Sequence, residues 1–173
     1  MSKMEAPYFG GKSLYSQGGY LTVQQNVGKD IDWYNVQFYN QGSSDYSTFA
    51  TLFQSANGWA ANTAVYQMIN GNNDMKFWTF FLFFDNNAFG CIRGYKLIKQ
   101  SVKIPAEMIV VGKPCTTGDV DNTGYVAPST MESIFAQAVS NQNVIWNTGF
   151  MTWQFASDLD QNFQFANTVA QAF

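Results

Sequence analysis

Apolar and polar positions change character in blocks along the chain. Residues 31–40, IDWYNVQFYN, read as a strand with Trp33, Val36 and Phe38 as its apolar content, ending among Gln37, Tyr39 and Asn40. Polar groups at the end of an apolar strand are costly to bury unless something uses them. Residues 106–114, AEMIVVGKP, form a continuously apolar run closed by glycine and proline. That pattern fits a strand buried on both faces, as in parallel sheets. Residues 148–158, TGFMTWQFASD, give another buried strand with polar groups at its end.

Helical segments fall between and around these strands. Residues 20–29 give a short helix closed by Gly28, after an opening strand or loop over residues 1–10. A helix over 46–53 has Ser44 or Asp45 as its cap. The next runs through residues 62–70, with Asn62 as cap and Gly71 as stop. Residues 129–140 place Met131, Ile134, Phe135 and Ala138 on one stripe of an amphipathic helix. The tail, FQFANTVAQAF, is a last helix. Strand and helix alternate, which predicts βα units and a parallel sheet. In barrels of that type, active sites form at the C-terminal ends of the strands.

Composition narrows the chemistry. The 173 residues suit one domain, with 46% hydrophobic and 17% aromatic residues but only 12% charged. A net charge of -3 offers no basic footprint for nucleic acid. No histidine is present, which removes His-based nucleophilic catalysis and His-ligated zinc. Cys91 and Cys115 are too few for a disulfide framework and read as two free buried thiols or one bridge. The most apolar run, FWTFFLFF, is far short of the roughly 20 residues needed to span a membrane. MSKMEAPYFG has no apolar signal-peptide core.

Three strand ends carry a resemblance. VQFYNQ, VVGKP with the following TTGDVDNTGYVAPST, and GFMTWQFASD resemble successive segments of the glycoside hydrolase family 18 chitinases of the plant and fungal class III type. They are similar to the sixth, seventh and eighth strands of that barrel. EAPYF resembles the end of the fifth, and NGWAANTAV also has a close counterpart. The resemblance implies an α/β fold, a partial TIM (β/α)8 barrel of strands five to eight with their helices. It implies retaining, substrate-assisted cleavage of β-1,4-linked N-acetylglucosamine polymers. By matched position, Tyr39 is the catalytic tyrosine that holds the substrate's acetamido group for attack. Gln37 and Asn40 would line the same site, and Trp153 would floor the subsite of the reacting sugar. A sugar face stacked on an indole is worth about 1–3 kcal/mol. Each has an alternative: Tyr39 and Trp153 as core aromatics, Gln37 and Asn40 as partners of nearby backbone. Glu5, at the end of the EAPYF segment, is a further candidate that could face the site. The resemblance implies no cofactor and no metal, chitin or its oligosaccharides as partner, and an extracellular setting.

The family's acid motif, DxxDxDxE, does not occur in the sequence. Without that glutamic acid, leaving-group protonation is lost, roughly a 10²- to 10⁴-fold effect. The expectation is a C-terminal portion of the catalytic domain over residues 1–173, inactive alone. Half a barrel would also expose sheet edges and self-associate. Alternatives are a lectin-like remnant that binds chitin without cleaving it, and a half that completes a barrel with another chain. GDVDNTGYVAPST mimics a calcium loop, with Asp119, Asp121, Thr123 and Gly124 at its first positions. Thr130 stands where a bidentate glutamate is required, and a turn-rich loop explains the pattern equally. Asp158 and Asp160 fall where a turn or helix cap is expected.

Residues 72–103 break the pattern. They are rich in Phe, Lys and Asn and hold the only arginine, Arg93. Two readings stand: a translated intron or gene-model error, or a real hairpin or lid with an apolar, aggregation-prone face.

Overall fold

The computed structural model describes residue 9 and residues 16–42, 46–54, 63–71, 76–78, 97–99 and 102–173. Its centre is a three-stranded parallel sheet. Strand β1 is Tyr34–Gln37, β4 is Ile109–Pro114 and β5 is Phe150–Trp153, in the order β1-β4-β5. Between β1 and β4 in the chain, β2 (Lys76–Trp78) and β3 (Leu97–Lys99) pair antiparallel as a separate two-stranded ladder. With residues 102 and 103, these are the described parts of the atypical stretch 72–103.

Parallel pairing sets which side chains share a face. Val36 stands opposite Val111, and Val111 opposite Phe150. Because neighbouring residues on a strand point to opposite faces, this row and the Tyr34–Ile109 row below it face one layer. That layer holds the helices. Val36, Ile109 and Val111 are buried in the same core as Phe53, Met131, Ile134 and Phe135. The Trp146 ring packs on Phe53 and Phe135, with centroids 4.8 and 5.3 Å apart. Its indole N–H donates to the Ile109 carbonyl at 2.7 Å, so this large ring is buried without an orphaned donor.

Six α-helices surround the sheet in the described residues: α1 Gly19–Val27, α2 Phe49–Phe53, α3 Val65–Asn70, α4 Pro128–Ser140, α5 Phe155–Asp160 and α6 Gln164–Val169. In α4 the stripe of Met131, Ile134, Phe135 and Ala138 is buried, as its spacing predicts. Helix α3 stops at Gly71, which takes the left-handed conformation at φ 70°. The carboxylate of Asp158 accepts from the amides of Phe165 and Ala166 at 2.9 and 3.2 Å. It thereby caps α6, the role its position suggested.

Three expectations are corrected. The helix expected from residue 46 begins at Phe49, capped by Thr48 and Thr51 in a reciprocal pair; Tyr46 sits at φ 63°, outside any right-handed helix. The strand over 31–40 is shorter at both ends, since Trp33 is 58% exposed and Asn40 turns into the left-handed region. Strand β5, read as buried, is only half-buried: it is an edge strand of the described sheet, with Phe150, Met151 and Thr152 half-buried and Trp153 exposed. The proposed caps Ser44, Asp45 and Asn62, and Cys91, lie outside the described residues. Cys115 is a buried free thiol.

Candidate functional site

The second face of the sheet carries Gln37 and Trp153, two of the residues singled out by sequence. Gln37 stands opposite Gly112, and Gly112 opposite Met151. A side chain on Gly112 would collide with the Met151 methyl at 2.8 Å, so the glycine makes room for Met151 on this face. One step towards the C-terminal edge, Pro114 pairs with Trp153. The Phe38 amide donates to the Gly112 carbonyl at 3.1 Å, so the register continues and places Tyr39 level with Pro114. Tyr39 and Trp153 thus flank Pro114 on one face at the C-terminal edge, two strand spacings or about 10 Å apart. The two are unlike in exposure. Tyr39 is 3% exposed, whereas Trp153 is 45% exposed and open to a ligand. The peptide bond from Trp153 to Gln154 is cis.

Asn40 follows with φ 66°, a conformation asparagine tolerates better than most residues. Its amide donates to the Thr123 carbonyl at 2.7 Å. Its side-chain oxygen accepts from the Asp121 amide at 2.9 Å, and its side-chain nitrogen donates to the Asp121 carboxylate at 3.5 Å. The Gly42 amide donates to the Asn122 side chain at 3.0 Å. Asn40 therefore clips the end of β1 to the loop after β4, the backbone partnership that sequence left open. Gln37 is half-buried on β1. Glu5 lies outside the described residues.

Two further groups hold this edge together: Lys113, which the sequence does not single out, and Asp119, which it marks only for calcium-like spacing. Lys113 is fully buried on the helical side of β4, and burial pulls its amine down to about 7. Its Nζ donates to the carbonyls of Phe38, Tyr46 and Gly124 at 2.8, 2.6 and 3.3 Å. Asp119, first residue of the calcium-like pattern, accepts from the Thr116 amide and hydroxyl at 3.0 and 2.6 Å and from the Ser157 hydroxyl at 2.6 Å. The Cys115 thiol adds a contact at 3.3 Å. Burial alone would raise the Asp119 carboxyl, but the donors from Ser157, Thr116 and Cys115 outweigh it and hold it below the ordinary value. Burial, then the Asp119 contact, pushes the Cys115 thiol up. Asp119 thus joins the loop after β4 to the start of α5. No group of three or more metal-ligating side chains gathers among the described residues.

No family model matches the sequence, and no curated protein matches it. Solved structures do. The chain is similar to a GH18 chitinase from Pseudoalteromonas aurantia at 24% identity, with a TM-score of 0.54, covering 98% of this chain and 45% of that one. It is similar to a Family GH18 chitinase from Chromobacterium violaceum at 20% identity, with a TM-score of 0.62, covering 97% of this chain and 43% of that one. The chain spans less than half the length of either. At these identities the likeness is one of fold: over a partial span, this chain resembles a glycoside hydrolase family 18 chitinase, with β1, β4 and β5 consistent with part of its barrel sheet.

Proposed function

We propose that this chain is the C-terminal portion of a family 18 chitinase-type domain, strands five to eight, and that it binds β-1,4-linked N-acetylglucosamine. The observation that carries the reading is that Trp153 pairs with Pro114 at the C-terminal edge of a parallel sheet and Tyr39 follows two residues after Gln37 on the neighbouring strand, where sites of such folds form. The exposed indole of Trp153 offers a flat apolar floor for a sugar ring. Tyr39 orients the acetamido group, and Gln37 lines the same face. Asn40 holds the backbone after Tyr39 in place. The three strand-end motifs support the class III type, and with it an extracellular role on chitin.

The sequence contains no DxxDxDxE, so these residues bind and orient without donating a proton to the leaving oxygen. Hydrolysis by this chain requires that acid from a further polypeptide segment. Incubation of the chain with chitin beads tests this: retention on the beads with no soluble sugar released is expected. Release of sugars by the chain alone overturns the assignment of an incomplete site. No retention overturns the binding assignment.

A further inference from the structure

Lys113 stands behind the candidate site, on the face of β4 opposite to Tyr39. A lysine amine carries three N–H donors when charged and two when neutral. Three carbonyls from three separate segments converge on it: Phe38 at the end of β1, Tyr46 ahead of α2, and Gly124 in the loop after β4. Each of these touches the frame around Tyr39. The Phe38 carbonyl belongs to the peptide unit whose nitrogen is that of Tyr39. The Gly124 backbone lies against the Tyr39 Cα and Cβ. Its neighbour Thr123 accepts the amide of Asn40, the residue after Tyr39. The Tyr46 ring packs on Phe38, with centroids 5.0 Å apart. Every N–H has an acceptor, which is what makes a buried amine bearable here.

We propose that Lys113 is a positioning residue for Tyr39: from behind the sheet, its amine ties together the three backbone segments that frame that tyrosine. The inference rests on the reading of Tyr39 as a sugar contact. It adds a specific dependence of that contact on a side chain that cannot reach the ligand itself.

The test uses the full chain, Lys113→Met, Tyr39→Phe and the double variant. Two quantities are read: the affinity for the N-acetylglucosamine tetramer, and amide hydrogen exchange at Asn40, whose N–H is held by the loop. In Lys113→Met, exchange at Asn40 should accelerate at least about 10-fold while the Met131 amide in α4 keeps its rate, a local opening rather than a global one. Tetramer affinity should fall in each single variant. The two losses should not add in the double variant, because both act through one side chain. Unchanged exchange at Asn40, or strictly additive losses, overturns the inference. If the tetramer does not bind, or Tyr39→Phe leaves its affinity unchanged, the sugar-site reading fails instead. The exchange rates then decide on their own whether Lys113 holds the Tyr39 frame. If Lys113→Met does not fold, Lys113→Gln, which retains two N–H donors, carries the same comparisons.

Discussion

Gly124 lies against Tyr39 so closely that a Cβ built on the glycine would meet the tyrosine Cβ at 2.4 Å and its Cα at 2.5 Å. Gly124 also sits at φ 112°, which side-chain-bearing residues rarely adopt. Both constraints act on backbone that cannot yield cheaply. Gly124→Ala should therefore destabilise the chain by about 2–4 kcal/mol and displace Tyr39. Chemical denaturation checks the first, and loss of tetramer affinity the second. A variant as stable as the parent contradicts the packing described.

Asn40 combines a positive φ with a side-chain clip to the Asp121 amide. Asn40→Ala loses the hydrogen bond and strains the backbone, at about 1–3 kcal/mol. Asn40→Gly loses the bond but relieves the backbone, so it should be the less destabilised of the two. Denaturant midpoints of both variants, measured side by side, check the order.

Much of the fold is written in short-range pattern. The α4 stripe, the Gly71 stop and the doubly buried β4 run follow from period and turn chemistry alone. Strand β5 reads as buried because Phe150, Met151, Trp153 and Phe155 dominate its segment. Its face assignment depends on pairing with β4, which no local pattern encodes. The start of α2 was misplaced because Thr48 and Thr51 form a cap of two threonines, a weaker signal than Ser44 or Asp45 ahead of it. Tyr39 and Trp153 stand out in the sequence only through their motifs, and their role as sugar contacts is the proposal made above. Lys113 does not stand out: at the end of an apolar strand, a lysine pattern looks the same whether its amine reaches solvent or three carbonyls. Asp119 was noticed for calcium-like spacing, but its donors Thr116 and Ser157 are 41 residues apart in sequence and meet only in the fold.

Lys113 fixes the sign of one pH dependence. Its folded value, about 7, lies below the ordinary lysine value near 10.4. Between the two, the unfolded chain holds a proton that the folded chain has released, so stability rises with pH from about 7 towards 10. Burial is the cause, and the groups on the amine are the neutral carbonyls of Phe38, Tyr46 and Gly124. The slope should approach about 1.4 kcal/mol per pH unit and vanish in Lys113→Met. Denaturation at pH 6.5, 8 and 9.5 checks it.

Asp119 acts at the other end of the scale. Its folded value is held below the ordinary one by Ser157, Thr116 and Cys115 against the effect of burial. Its stabilisation is complete above about pH 4, the unfolded value, and is lost as pH falls through the lower folded value. Asp119→Asn lacks this titration. The parent should lose more stability than the variant between pH 5 and pH 2, as read from urea midpoints. Parallel losses contradict it.

The central claim is that the face bearing Tyr39 and Trp153 holds an N-acetylglucosamine chain. Calorimetric titration of the full chain with the N-acetylglucosamine tetramer, beside Trp153→Ala and Tyr39→Phe, tests it most directly. The parent should bind, and Trp153→Ala should weaken binding by about 1–3 kcal/mol, roughly 5- to 150-fold, with melting temperature little changed because the indole is half exposed. No binding by the folded parent, or equal binding by Trp153→Ala, would contradict the account.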